Sequence, residues 1–291
     1  MKPGAFEYVR PSSVAEAVAV LAETGEDASI LAGGQSLVPL LNMRLARPAI
    51  LVDINRIAGL DGLEVSGDGV RVGTLVRAGA LERNAQARVA TPVLAQASSN
   101  IGHPQIRNRT TVGGNIAHAD PSSELPSVLA CLDGEVELIS SSGARTIGWS
   151  DFFVTVFTTA REPAEMVTGV RFPTEPGWEF HFTEMARRHG DFPIVALTVG
   201  LNWQDERLSG LRVAATGVSD RPLRLSAVEQ AATGEPLTAA LVAELAALAA
   251  AECDPRSDGA GSAEYRRHVL ATLLRRTLTD RIGRRTTPAA A

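Results

Sequence analysis

Leu31-Ala32-Gly33-Gly34-Gln35-Ser36-Leu37 and Thr110-Thr111-Val112-Gly113-Gly114-Asn115-Ile116-Ala117-His118-Ala119-Asp120-Pro121 decide how this chain is read, Gly113 standing 80 positions after Gly33. Each doublet reads as a turn that follows an apolar, strand-like run and leads into a helical or polar segment. Glycine serves where φ must be positive or where another group approaches the main chain closely, and exposed N–H groups at a helix start favour an anion. Two such turns predict two main-chain cradles around one elongated, phosphate-bearing ligand, such as a dinucleotide. Gly-Gly alone is common punctuation between strands and helices. The neighbours tip the reading: Gln35 and Ser36 run into Leu37-Val38-Pro39-Leu40-Leu41, and Asn115 leads toward Asp120 and Ser122-Ser123-Glu124. On this reading the glycines keep room for the ligand, so valine at Gly33 or Gly114 is expected to abolish binding and leave the fold largely intact.

Outward from the first turn, Ser13 and Glu16 form a capping-box pair, Val14, Ala17, Val18 and Leu21 repeat at helical spacing, and Gly25 closes the helix. Ala28 to Ala32 reads as a buried strand, Leu37, Leu40, Leu41 and Leu45 as a helical stripe with Pro39 in its first turn, and Ile50 to Ile54 as a strand. These make a βαβ-like lobe. Around the second turn, Val70 to Gly73 reads as a strand, with Gly67, Gly69 and Gly73 as hairpin glycines, and Ala78 to Asn84 as a helix. Leu125 to Leu132 reads as a short helix. Glu135 to Ile139 and Arg145 to Ile147 read as an antiparallel pair. Pro173 to Gly177 is a linker to a third region, with strands near 195–203 and 211–216 and helices at 238–252 and 263–282. In the last helix Leu270, Leu273, Leu274, Leu278 and Ile282 share a stripe, with Arg266, Arg267, Arg275 and Arg276 mostly outside it. The residues from Thr286 read as a frayed tail.

With 291 residues and 45% apolar content, the chain can bury a substantial core and is long for one domain. No run of about 18 apolar residues exists to span a bilayer and no signal core follows the amino terminus, so a cytoplasmic address is expected. A net charge of −5 with 4% aromatic residues speaks against nucleic-acid binding. Cys131 and Cys253 are too few for an iron–sulfur cluster and read as buried thiols. The five histidines show no ligand spacing, so no metal is expected on this chain.

Both glycine stretches, the opening Phe6-Glu7-Tyr8-Val9-Arg10-Pro11, Arg107-Asn108-Arg109-Thr110, Asp151-Phe152-Phe153, Ala186-Arg187-Arg188-His189-Gly190-Asp191-Phe192 and Gly261-Ser262-Ala263-Glu264-Tyr265-Arg266-Arg267 together resemble the FAD-binding medium subunit of molybdenum hydroxylases. That family includes carbon monoxide, xanthine and nicotine dehydrogenases. The resemblance implies an α+β fold: a two-lobed PCMH-type FAD-binding domain (residues 1–57 and 58–175) followed by a smaller α+β C-terminal domain (residues 176–291). It implies an oxidoreductase subunit with no catalytic acid–base residues of its own. Electrons would pass from molybdopterin on a large subunit and 2Fe-2S clusters on a small subunit, through FAD here, to an external electron acceptor, in a dimer of heterotrimers.

The resemblance also assigns the site. Leu31, Ala32, Gly33, Gly34, Gln35, Ser36, Leu37 and Val38 would wrap the FAD pyrophosphate, with Ser36 either adding a hydroxyl or capping the helix. Thr111, Val112, Gly113, Gly114 and Asn115 would face the flavin and its ribityl or phosphate oxygens, unless Asn115 serves its own turn. Glu124 falls where relatives place an Asp on the cofactor, Ile101 where some have an aromatic, and Val167 where a main-chain contact is made. Thr183 replaces a Lys found near the ring, and Gln35 a His of carbon monoxide dehydrogenases. Arg187, Arg188 and Asp191 read as a surface ion cluster or as groups at the flavin edge. The rival readings are a self-sufficient FAD oxidoreductase of the vanillyl-alcohol-oxidase-like fold and a scaffold that has lost its flavin.

Overall fold

A computed structural model describes residues 2–286. The first sheet is parallel, in the order Glu7–Val9, Ile50–Asp53, Ala28–Leu31. Parallel neighbours need a crossover, and helices Val14–Thr24 and Leu37–Met43 supply them. Ser13 Oγ accepts the Glu16 N–H at 3.2 Å, while Glu16 Oε2 reaches back to the Ser12 N–H at 2.6 Å, one residue beyond the expected box. We predict that Ser13→Ala lowers stability by about 1 kcal/mol, read as a lower denaturant midpoint with unchanged slope. Gly25 ends this helix at φ +54, its N–H on Leu21 O.

Two expectations in this lobe are corrected. Ala28–Leu31 is half-buried throughout, because Ala28, Ser29 and Ile30 form part of a cleft wall. The second helix stops at Met43, where Arg44 turns left-handed (φ 59), so Leu45 leaves the stripe and is 73% exposed.

The second sheet is antiparallel, in the order Leu63–Ser66, Gly69–Gly73, Met166–Pro173, Glu135–Ser140, Gly143–Gly148. Its central strand, Met166–Pro173, has no counterpart in the sequence reading; it is buried between partners that precede it by far in the chain. Gly73 is no hairpin glycine: a Cβ there would stand 2.5 Å from Leu60 O, so it allows a close crossing of chains. Six helices fill the interval between the second and fourth strands: Ala78–Arg83, Ala85–Ala90, Pro92–Asn100, Pro104–Arg107, Val112–His118 and Glu124–Cys131. All but Pro104–Arg107 send apolar side chains to join Val72, Val136, Val170 and Phe172 in one core.

The third sheet runs Trp178–Met185, Val195–Gln204, Arg207–Thr216, Leu223–Arg224, all antiparallel. Helices Ser226–Ala232, Ala239–Glu252 and Ala263–Thr286 build a separate apolar core with it. Leu270, Leu273, Leu274 and Leu278 are buried there as the stripe predicts. Arg266 is not outside: it is 3% exposed, paired with Asp258 at 2.7 Å, with Nη1 donating to Ile194 O and Gly217 O. Carbonyls left open at the strand ends give the buried cation its acceptors. The expected tail lies, beyond Thr286, outside the described residues.

The other face of this sheet rests on helix Glu124–Cys131, with Ser127 Oγ and Thr198 Oγ1 2.9 Å apart and Thr216 Oγ1 donating to Ser123 O at 2.9 Å. Cys131 and Cys253 are buried free thiols, and burial pushes Cys131 up to about 12. Among the described residues no helix is long and apolar enough to cross a membrane, and no group of His, Cys, Asp and Glu has the makings of a metal site.

Candidate functional site

The two glycine stretches meet. A Cβ built on Gly33 would lie 2.3 Å from Arg109 O, and one on Gly114 would lie 3.7 Å from Ala32 Cβ. The contact is clamped by polar groups: Asn55 Nδ2 donates to Ala32 O at 2.8 Å, Arg77 Nη2 to Asn55 Oδ1 at 2.7 Å, and Arg77 Nη1 to Arg109 O at 2.6 Å. A single arginine thus ties both loops to one frame. The cleft between them measures about 450 Å³.

Its first wall is the turn after strand Ala28–Leu31. Among the described residues no acceptor takes the main-chain N–H of Gly33, Gly34, Gln35 or Ser36. Gly34 holds φ +73, with Leu31 Cδ1 and Val38 Cγ2 each 3.2 Å from its missing Cβ. Ser36 is the N-cap of helix Leu37–Met43 yet makes no side-chain cap bond, so its hydroxyl is open to the cleft. Gln35 Nε2 folds back on Gly33 O at 3.2 Å. Four unpaired donors beside a helix start form a ready anion cradle.

The second stretch differs from its expectation in kind. Thr111 caps helix Val112–His118, so the doublet lies in a first helical turn, not in a turn after a strand. Its donors are spent within the protein: Val112 on Val76 O, Gly113 on Thr74 O, Gly114 on Thr111 Oγ1 and Asn115 on Thr111 O, all between 2.9 and 3.2 Å. It offers side chains, not a main-chain cradle. Asn115 Oδ1 accepts Ser123 Oγ–H at 2.9 Å, which leaves Nδ2 as the donor toward the cleft.

The glycines themselves serve packing. Gly33 lies against the Arg109 main chain, and a Cβ on Gly113 would come within 1.9 Å of Thr74 Oγ1. The expectation that a branched residue at Gly33 spares the fold is therefore withdrawn, since the atom in the way is backbone.

Ala32, Gly33, Gly34, Gln35, Ser36, Leu37, Ile101, Thr111, Gly113, Gly114, Asn115, Glu124 and Val167 all line the cleft. Leu31, Val38 and Val112 do not line it: Val112 is fully buried and Val38 is exposed. Thr183, on strand Trp178–Met185, is not in the wall. Among the described residues no ion pair joins Arg187, Arg188 and Asp191; Arg187 Nη2 instead donates to Gly259 O at 2.6 Å. The cleft also takes in residues the sequence reading did not single out as site residues: Thr74, Thr110, His118, Asp120, Ser123, Arg161 and Phe192. Asp120, Ser123 and Phe192 sit inside quoted motifs, whereas Arg161 carries no sequence signal.

Apolar surface from Leu37, Ile101, Ile106, Val167 and Phe192 makes up much of the cleft, which suits a flat aromatic ring beside an anionic chain. Arg161 Nη1 is held by the carbonyls of Glu162, Pro163 and Glu165 between 2.8 and 3.3 Å, and burial lowers its pKa. Burial likewise lowers His118, against the pull of Asp120. Glu124, 2% exposed, is pushed up to about 8, first by burial and then by the charges of Glu184 and Asp120.

Residues 4–175 match the model of the FAD binding domain in molybdopterin dehydrogenase, and residues 180–280 that of the CO dehydrogenase flavoprotein C-terminal domain. The chain is 40% identical to the 6-hydroxypseudooxynicotine dehydrogenase complex subunit alpha of Paenarthrobacter nicotinovorans, across 98% of this chain and 97% of that protein. It is 36% identical to the carbon monoxide dehydrogenase medium chain of Afipia carboxidovorans, across 96% and 97%. A solved carbon monoxide dehydrogenase of Hydrogenophaga pseudoflava, lacking the Mo-pyranopterin moiety of the molybdenum cofactor, superposes with a TM-score of 0.92 at 35% identity, covering 95% of this chain and 96% of that one.

Proposed function

We propose, from the premise that this chain belongs to the family of FAD-binding subunits of molybdopterin dehydrogenases, that it carries electrons through FAD between partner subunits and an external acceptor. The observation that carries the reading is the row of four unpaired amides, Gly33 to Ser36, opening into a cleft whose other walls are largely apolar. The amides and the Ser36 hydroxyl would hold the pyrophosphate, each such bond to a charged oxygen contributing about 1.5–3 kcal/mol. Asn115 Nδ2 would orient a polar oxygen of the cofactor, while Ile101 and Val167 exclude water from the ring. When bound, FAD accepts and releases electrons singly or in pairs. The chain's residues bind, orient and shield it.

On this proposal the electrons come from molybdopterin and 2Fe-2S centres on a large and a small subunit, as a dimer of heterotrimers in the cytoplasm. Relatives matched over nearly their whole length are named as medium chains or complex subunits, which favours this reading over a self-sufficient oxidoreductase. Purification of the native complex with an absorption spectrum tests it: one FAD per chain, reducible only when the partners are present, is expected. Reduction of the isolated chain by an organic substrate would move the assignment to the rival, and a chain colourless after FAD addition would end it. Asn115→Ala should weaken FAD binding about tenfold, or about 1.4 kcal/mol, by equilibrium dialysis, with little change in melting temperature.

A further inference from the structure

Tyr8, Asp53, Asn55 and Arg77 do not line the cleft, yet they form an unbroken chain of hydrogen bonds that ends on both of its loops. Asp53 closes strand Ile50–Asp53, in parallel register with Leu31, so it stands where the first loop begins. Its Oδ2 accepts the hydroxyl of Tyr8, from strand Glu7–Val9, and its Oδ1 accepts the Asn55 N–H at 2.9 Å and Asn55 Nδ2 at 2.7 Å. Asn55 Nδ2 spends its second hydrogen on Ala32 O at 2.8 Å, and Asn55 Oδ1 accepts Arg77 Nη2 at 2.7 Å.

These partners permit one orientation of the Asn55 amide. Turned over, it would aim its oxygen at the acceptors Asp53 Oδ1 and Ala32 O, and its NH2 at a guanidinium that can only donate. Asp53 sets the choice most firmly, since an ionised carboxylate accepts only and its hydrogen bonds are charge-assisted. Against burial, which raises its pKa, the bonds from Tyr8 and Asn55 and the charge of Arg10 hold Asp53 below the usual carboxylate range. Arg77, seated on Asn55, donates in turn to Arg109 O at 2.6 Å, the atom against which Gly33 packs. Without Asp53 the amide loses the acceptor that fixes its plane, and Arg77 loses its seat. The loop carrying the four open amides is then free to shift against the Arg109 main chain.

We propose that Asp53 is a positioning residue for the cleft: by fixing the Asn55 amide it sets how the two loops meet, and so the affinity for the diphosphate of a bound nucleotide, without touching the ligand. Tyr8 supports it from the protein surface. The identity of the nucleotide as FAD rests on the function proposed above; the hydrogen-bonded lock does not.

Equilibrium dialysis of the full chain with FAD tests the proposal through the pattern of losses. Asp53→Ala should bind about tenfold more weakly, and Asp53→Asn, which keeps an oxygen for Asn55, should recover most of that loss. The double variant Asp53→Ala/Asn55→Ala should bind no more weakly than Asn55→Ala alone, because Asp53 acts only through that amide. Tyr8→Phe removes one hydroxyl from a half-exposed ring and serves if Asp53→Ala does not fold: it should weaken binding about threefold in the parent and not at all in Asn55→Ala. Parent-like affinity in Asp53→Ala, no recovery in Asp53→Asn, or losses that add in the double variants would overturn the proposal. A second arm needs no ligand: nitrogen-15 NMR of the flavin-free parent should find the Asn55 side-chain NH2 protected from solvent exchange, and free exchange there would overturn the lock. No binding of FAD by the parent would strike the FAD assignment and leave this arm to decide.

Discussion

Gly33→Ala is expected to strip the protein of flavin and lower its melting temperature in the same variant. The new Cβ would stand 2.3 Å from Arg109 O and 3.0 Å from Arg109 C, both main-chain atoms that Arg77 holds in place. No rotamer relieves that contact, so one loop must retreat from the other. Overpacking of this kind costs about 1–3 kcal/mol and sometimes more, or on the order of 5 °C in a chain of this size. The loop that retreats is the one supplying the four open amides, so the cradle is lost with the packing. Gly114→Ala makes the contrast, because its nearest obstacle is the Thr111 hydroxyl, a side-chain atom at 2.6 Å that can rotate away at the expense of a helix cap. Flavin absorbance after gel filtration and a thermal melt decide the matter: Gly33→Ala should fail both, Gly114→Ala only partly. A Gly33→Ala protein with full flavin and an unchanged melt would remove the loop-on-loop account.

The two doublets also mark how far one sequence can be read. That they meet in one cleft followed from their neighbours, and the structure places most of the named residues in its wall. What each glycine does there was not legible, because a missing Cβ makes room for a ligand or for another chain segment alike, and the choice depends on residues far away: Arg109 for Gly33, Thr74 for Gly113. The capping residue of the second stretch was readable in principle, since Thr111 followed by a helical run predicts a helix start. The apolar doublet context masked it. Strand Met166–Pro173 escaped because its burial comes from two strands that precede it in the chain, Gly69–Gly73 and Glu135–Ser140, and Arg266 because a helical arginine reads as solvated unless open carbonyls at strand ends are known to face it. Arg161, a polar residue in no motif, became visible only through the cavity it lines.

Raising the pH from about 6 to about 9 should destabilise the flavin-free protein, and Glu124 is the main reason. Its carboxyl titrates near 8 in the folded state against an ordinary 4.5, so between those values the folded chain binds a proton that the unfolded chain has lost. A group with a raised folded pKa contributes stability in full below its unfolded value and loses it as the pH rises through the folded one; the slope here is downward with pH. Each unit of displacement corresponds to about 1.4 kcal/mol, which makes the loss on the order of a few kcal/mol, with Glu184 adding in the same direction. The depressed carboxylates Asp53, Glu165 and Asp258 act in the opposite sense, but they withdraw their support only in acid. His118, lowered by burial below its ordinary 6.5, acts in the opposite sense and adds stability as the pH rises through that value at the acidic end of the range. Urea midpoints for the parent should therefore fall across this range, while Glu124→Gln, isosteric and uncharged, should fall less and gain steadily on the parent as the pH rises. A Glu124→Gln curve that runs parallel to the parent's would mean that Glu124 ionises freely in the folded chain, and the charge balance drawn here for the cavity wall would be wrong.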